Sequence, residues 1–192
     1  MTIHSRLRKA LVLLAAGVVL AAPLGAADVF KARFLTGKGP IEPPIVDVQI
    51  EVTSWTTLEE VQRLQQVVSG GDFQAFLNAF NAMDKGVVRF KYARGWNLPI
   101  RAAVTVPTEK GKRVMLFMYR ENWQSGSVKA HGRNYFMVID FTLNEKGKGG
   151  GRFYEDAMIK LDPVQGRVEM ESYGSAPKSF PSVQEVKKAA GK

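Results

Sequence analysis

The sequence of 192 residues contains no cysteine and only two histidines, and each shortage excludes a class of chemistry. Without cysteine there is no disulfide framework, no thiolate nucleophile, no cysteine-based metal site and no lipoprotein signal. His4 precedes an N-terminal apolar run, which leaves His131 as the one imidazole in the remainder of the chain. We therefore expect no multi-histidine metal site, and no cofactor.

The first 27 residues have the pattern of a cleavable secretory signal peptide. Three cations within residues 6–9 precede a run without polar side chains over residues 10–20. Eleven residues of helix rise only about 16 Å, well short of the roughly 30 Å hydrocarbon core of a bilayer, so we expect no permanent membrane anchor. Gly25 and Ala27 suit the two small pockets of a signal peptidase and predict cleavage after Ala27.

Cleavage after Ala27 leaves 165 residues and lowers the formal net charge from +9 to +6, because all 18 acidic residues lie further along. A chain of this length buries about two thirds of its unfolded surface in one domain. We expect a signal peptide at 1–27, an N-terminal arm at 28–45, a single domain at 46–188 and a frayed C-terminus at 189–192. For a basic protein that is exported to the periplasm or the medium, we expect an anionic envelope polymer or a protein as partner, and no nucleic acid.

Stretches in which apolar and polar residues alternate dominate the chain, and this period of two predicts half-buried strands. They occupy residues 46–52, 87–93, 100–106, 113–120, 135–143, 153–161 and 167–173. Most connections between them are short, which favours antiparallel neighbours. The glycine-rich residues 146–151 lack the Walker pattern of a phosphate loop, so we interpret them as a flexible hairpin loop.

Two helices are predicted between the first and second strands. Thr57 and Glu60 match a capping box that begins a helix ending near Val68, and Asp72 can cap a second helix. The second helix carries an apolar stripe that we assign to the core: Phe73, Phe76, Leu77, Phe80 and Met83. The predicted fold is α+β, an antiparallel meander sheet of about six to seven strands with two helices packed on one face. Ser182 is expected to begin a short C-terminal helix.

Candidate catalytic residues are few. Ser125 and Ser127 lie near His131 in sequence, but no strand-turn-helix nucleophile elbow surrounds either serine. Glu155 falls among apolar neighbours on its strand, where a carboxyl could act as a general acid, yet no partner carboxylate accompanies it. We expect Glu155 to pair with a cation or to lie at an edge, and we expect the chain not to be an enzyme. A hydrolase with an unrecognised site is the alternative.

The candidate ligand-binding residues are cations and aromatics in two predicted loops. One loop carries Arg94 and Trp96, and the longest carries Trp123, Lys129, His131 and Arg133. Cations can hold an anionic group while tryptophan stacks on a sugar or an apolar ring, so these residues predict a binding surface for a glycan or an acidic ligand. In the opposing interpretation, both tryptophans pack beneath their loops.

Several segments together resemble an uncharacterised family of exported bacterial proteins, over most of residues 48–187. The similarity rests on residues 55–57, 95–100, 113–123, 135–143, 147–151 and 171–174. The resemblance implies export and carries no established activity. The predicted function is an exported, noncatalytic domain that binds an envelope component, an anionic glycan or a protein partner. A structural module of a larger envelope assembly is a further alternative.

Overall fold

The computed structural model of the protein describes residues 27–36, 44–91, 96–119 and 136–186, with the backbone alone for Trp96. Ten strands and two helices lie within these ranges. In chain order they are β1 (Asp28–Leu35), β2 (Ile45–Val52), α1 (Leu58–Ser69), α2 (Phe73–Asn81), β3 (Gly86–Lys91), β4 (Trp96–Ile100), β5 (Ala102–Thr108), β6 (Gly111–Tyr119), β7 (Phe136–Asn144), β8 (Lys148–Asp162), β9 (Arg167–Tyr173) and β10 (Lys178–Val186).

All ten strands belong to one antiparallel sheet with the order β4-β3-β2-β1-β10-β8-β7-β6-β5, and β9 pairs with the end of β8. The two outermost strands of this order, β4 and β5, are separated along the chain by Arg101 alone. The Arg101 amide donates to the carbonyl oxygen of Phe117 in β6 at 2.8 Å. The two ends of the strand order are therefore joined, and the sheet closes into a cylinder.

The interior of the cylinder is filled by inward-facing side chains. Each strand from β1 to β8, together with β10, contributes apolar residues to one buried cluster. The Phe34 ring packs against three other rings of this cluster, with its centroid 5.3 Å from that of Phe90, 5.7 Å from that of Phe153 and 5.0 Å from that of Phe180. Alternation along each strand places these rings inside and the charged residues between them outside.

An ion pair lies beside each of two interior phenylalanines of β1. Lys112 Nζ is 2.6 Å from Glu185 Oε1 and 5.8 Å from the centre of the Phe30 ring. Lys178 Nζ is 2.7 Å from Glu155 Oε1 and 6.0 Å from the centre of the Phe34 ring. Since Phe30 and Phe34 lie towards opposite ends of β1, the two pairs cover opposite ends of the apolar interior.

The two helices form a second core with the outer face of part of the sheet. Val61, Leu64, Phe76 and Phe80 pack with outward residues of β5 to β9. The capping box is confirmed, since Thr57 accepts from the Glu60 amide and Glu60 accepts from the Thr57 amide. Asp72 caps α2 as predicted, by accepting from the amide of Ala75 at 2.9 Å. None of the helices in the described ranges is long and apolar enough to cross a membrane.

The predicted number of six to seven strands is lower than the ten observed, because three strands were assigned to other kinds of structure. Residues 28–35 form β1 instead of an arm, and residues 96–100 form β4 instead of a turn. Residues 178–186 form β10 where a helix from Ser182 was expected. A register shift in β10 between Phe180 and Val183 turns both side chains inward. Their separation of three residues therefore imitates the spacing of a helix face.

The glycine-rich segment is also corrected, since residues 148–151 lie within β8 and the turn covers only residues 145–147. A Cβ at Gly149 would overlap the carbonyl oxygen of Thr142, and a Cβ at Gly151 would overlap that of Asp140. Glycine is thus required here because β7 approaches β8 closely, and not because a loop needs flexibility.

Candidate functional site

A shallow groove lies on the outer face of the sheet, over β10 and between β1 and β8. Its volume is about 320 Å³. The exposed polar residues that line it are Lys31, Arg33, Asp47, Lys148, Ser182 and Gln184. Three are cations and one is a carboxylate, so the groove is cationic. Ala32 and Val183 also line it, but both are buried.

Local features of β10 and β8 explain why a depression exists at this position. The bulge between Phe180 and Val183 breaks the regular pairing of β10 with β8. The next pair after the bulge is Val183 with Gly149. The interrupted pairing at the bulge leaves a depression between neighbouring rows of outward-facing side chains.

The register of the strands places cations on both sides of the groove. Lys31 of β1 lies opposite Gln184 of β10, and Gln184 lies opposite Lys148 of β8. Neighbouring strands are about 4.8 Å apart, so the two lysines leave the sheet about 10 Å from one another, with an amide between them. Two residues further along β1, Arg33 lies opposite Ser182 of β10.

The cations of the groove are weakly neutralised. Arg33 Nε is 4.0 Å from Asp47 Oδ1, and both side chains are mostly exposed, at 65% and 75%. An exposed ion pair at this distance contributes little stabilising free energy. Among the described residues, no acidic side chain forms a salt bridge with Lys31 or Lys148.

Most residues of the predicted loop site lie outside the described residues: Arg94, Trp123, Lys129, His131 and Arg133. The backbone of Trp96 belongs to β4, opposite Phe90. The strand ends that flank both predicted loops, β3 with β4 and β6 with β7, lie at the same end of the cylinder because neighbouring strands are antiparallel. That end is also the one covered by the Lys178–Glu155 pair.

The expectation for Glu155 is confirmed, because its carboxylate accepts a hydrogen bond from Lys178 Nζ at 2.7 Å. Glu169 of β9 is paired with Lys160 of β8 at 3.1 Å. The described ranges contain no group of three or more residues able to hold a metal ion. Ser125 and Ser127, like His131, lie outside these ranges.

Residues 55–57, one of the segments behind the family resemblance, join helix α1 to the sheet. Trp55 Nε1 donates to Asp28 Oδ2 at 3.0 Å, which ties this segment to the first residue of β1. Thr56 Oγ1 accepts from the Ala103 amide at 2.9 Å, and Thr57 caps the helix. Glu60 of the capping box also accepts from the buried Lys85 at 2.6 Å. The segment therefore has a structural role.

The groove was missed because, apart from Asp47, its residues come from segments that were interpreted as an arm, a loop and a helix. The signal that could have found part of it is the alternation of Lys31 and Arg33 with Phe30, Ala32 and Phe34. Comparison of the chain with family models, with curated proteins and with solved structures found no significant match.

Proposed function

We propose that this protein is an exported, noncatalytic domain that binds an anionic component of the cell envelope through the cationic groove. The observation that carries the proposal is the convergence of Lys31 and Arg33 from β1 with Lys148 from β8 around one open depression. Three cations against one carboxylate attract an anionic ligand, and Ser182 and Gln184 add hydrogen-bonding groups.

The location of β1 supports export with cleavage after Ala27. The strand begins at Asp28, and the Asp28 carboxylate accepts a hydrogen bond from Trp55. Removal of residues 1–27 would therefore leave every described strand in the chain. We expect the protein in the periplasm or the medium with Asp28 as its first residue, which an intact mass of the exported protein would measure. Retention of residues 1–27 would contradict this part of the proposal.

Exposed cations bind anions with an affinity that falls as salt rises, because mobile ions screen the attraction. Binding of the purified protein to anionic envelope polymers, such as lipopolysaccharide or wall fragments, should weaken steeply between low and physiological ionic strength. A neutral polymer should not bind at either ionic strength. Binding that is insensitive to salt would contradict a cationic binding surface.

The decisive variant replaces both flanking lysines, as Lys31→Gln with Lys148→Gln. Its matched control is Arg63→Gln with Lys110→Gln, which removes the same charge at exposed positions outside the groove. We expect the groove variant to lose most of the affinity and the control to lose little, since local charge dominates once the ligand is seated. Equal losses in both variants would show that net charge alone governs binding.

A second candidate surface is formed by the predicted loop residues Arg94, Trp96, Trp123, Lys129, His131 and Arg133. The observation that favours it is that the strand ends flanking both loops lie at one end of the cylinder. The test is a thermal shift with acidic glycans and protein fractions on Trp96→Ala and Trp123→Ala. Loss of a ligand-induced shift in these variants, with the shift retained in the lysine variant, would favour this surface over the groove.

A further inference from the structure

The lining of the groove is specific enough to indicate a ligand class, an inference that rests on the proposed function. The groove is not uniformly cationic, because the Asp47 carboxylate lines it together with Lys31, Arg33 and Lys148. An ionised carboxylate accepts hydrogen bonds and donates none. A ligand that satisfies this lining must therefore offer hydrogen-bond donors as well as negative charge.

A phosphate polymer fits this lining poorly. Its ionised internal phosphates are negatively charged and offer only acceptor oxygens at neutral pH, so they would be repelled by Asp47 and would leave the carboxylate without a donor. An acidic sugar fits better. Its carboxylate can contact one of the lysines, and hydroxyl groups along the sugar chain can donate to Asp47 and exchange hydrogen bonds with Ser182 and Gln184.

A membrane surface also fits poorly. Binding at a bilayer surface combines cations with apolar side chains that enter the interface. The two apolar residues of the groove, Ala32 and Val183, are only 5% and 2% exposed, so neither is available for insertion. The lining of the groove therefore has the charge of a lipid-binding surface without apolar side chains that can insert, and the exposed Leu35 and Ile45 lie outside it, beyond Arg33 and Asp47.

The register of the strands also sets the distance between the two lysines that flank the groove. Lys31 and Lys148 flank Gln184, and their strands are about 10 Å apart. One sugar of an extended chain is close in length to the spacing of two neighbouring strands. Acidic groups on alternate sugars would thus meet the two lysines, with the neutral sugar between them over the Gln184 amide.

We propose that the groove binds an extended acidic polysaccharide that carries a carboxylate on alternate sugars. The carboxylates contact Lys31 and Lys148, and hydroxyl groups of the intervening sugar contact Ser182 and Gln184. Hydroxyl groups of the next sugar, which lies beyond Lys31 over β2, contact Asp47. No aromatic ring lines the groove within the described part of the chain, so each contact is weak. Affinity then rises with polymer length, because neighbouring repeats rebind the same surface.

The test measures binding of the full exported protein to four probes at one ionic strength. The probes are hyaluronan, which carries a carboxylate on alternate sugars, the same polymer with its carboxyl groups reduced to alcohols, inorganic polyphosphate, and vesicles rich in phosphatidylglycerol. We expect hyaluronan to bind best. Reduction of its carboxyl groups should weaken binding roughly tenfold or more, the change that loss of one charge-assisted hydrogen bond brings.

The variant Asp47→Ala separates recognition of a sugar from plain charge attraction. It removes a negative charge from a cationic groove and releases Arg33, so charge attraction alone predicts tighter binding of every polyanion. The proposal predicts weaker binding of hyaluronan and tighter binding of polyphosphate. Asp47 is mostly exposed, so the substitution should leave the fold intact.

The outcomes distinguish the inference from the proposed function. Polyphosphate or vesicles that bind as tightly as hyaluronan, or tighter hyaluronan binding by Asp47→Ala, would overturn the acidic-glycan inference and leave a general anion-binding surface. Failure of all the anionic probes to bind, or binding that persists unchanged in the Lys31→Gln, Lys148→Gln variant, would overturn the groove as the binding surface altogether.

Discussion

Truncation of Phe30 tests whether β1 is part of the closed sheet. Phe30 is fully buried, and its ring packs edge-on against Phe141 with the centroids 5.2 Å apart. Replacement of a buried phenylalanine by alanine removes its transfer free energy and leaves a cavity, for a combined cost of about 3–5 kcal/mol. A single domain is typically stable by only about 5–15 kcal/mol, so Phe30→Ala should lower the urea midpoint strongly.

The neighbouring residue provides the control for this prediction. Lys31 points outward from the same strand and is exposed, so Lys31→Ala should change the free energy of unfolding by no more than about 0.5 kcal/mol. Both variants are compared with the parent by urea unfolding at equilibrium. If residues 28–35 were a loose arm, the two substitutions would have similarly small effects. A loss below about 1 kcal/mol for Phe30→Ala would refute the placement of β1 between β2 and β10.

Three further substitutions test local features. Thr57→Ala should destabilise the protein by about 0.5–2 kcal/mol through loss of the α1 cap, and Thr57→Ser should restore most of this in urea melts. Gly149→Ala should cost at least about 1–3 kcal/mol because its Cβ would overlap the Thr142 carbonyl oxygen. A Cβ at Gly70 would lie 3.3 Å from the nearest atom, the Val67 carbonyl oxygen, so Gly70→Ala should cost much less. The pKa of the Glu59 carboxyl lies below 4.5, mainly because of a hydrogen bond from the Glu59 backbone amide and secondly because of one from Thr57. The ionised carboxylate therefore stabilises the fold above that pH, and this stabilisation is lost as the pH falls through the lowered pKa. Glu59→Gln should therefore be less stable than the parent at neutral pH but not in acid, and a difference that persists below the lowered pKa would contradict this origin.

The helices were predictable because their signals are local. A capping box and an aspartate cap depend on residues three positions apart, and both occur as expected. The apolar stripe of α2 is mostly core, with Phe76, Leu77 and Phe80 buried. Phe73, in the first turn, is 41% exposed. The spacing of apolar residues predicts which face of a helix is buried, but not how far along the helix that burial extends.

The missed strands depend on information that is not local. β10 pairs with β1 and β8, and its bulge makes Phe180 and Val183 face the same side. A strict period of two cannot detect a strand interrupted in this way. β1 was passed over within a stretch rich in glycine and proline, although residues 30–34 alternate clearly between buried and exposed positions. Closure of the sheet then follows from β1 and β10 together.

The candidate site could not be derived for the same reason. Lys31, Lys148 and Gln184 are far apart in sequence and meet only because β10 lies between β1 and β8. The absence of catalytic and metal-binding patterns in the sequence led to the expectation of a noncatalytic protein, and the pairing of Glu155 with Lys178 agrees with the interpretation made for that residue.

The location of bound ligand is the most direct test of whether the cationic groove is the binding site. Amide chemical-shift changes measured by NMR during titration with an anionic polysaccharide report which strands it contacts. If the ligand binds in the groove, the largest changes will cluster at residues 31–33, 148–149 and 182–184. Changes confined to the strand ends at Lys91, Trp96, Tyr119 and Phe136 would place the ligand at the end of the cylinder and contradict the groove as the binding site.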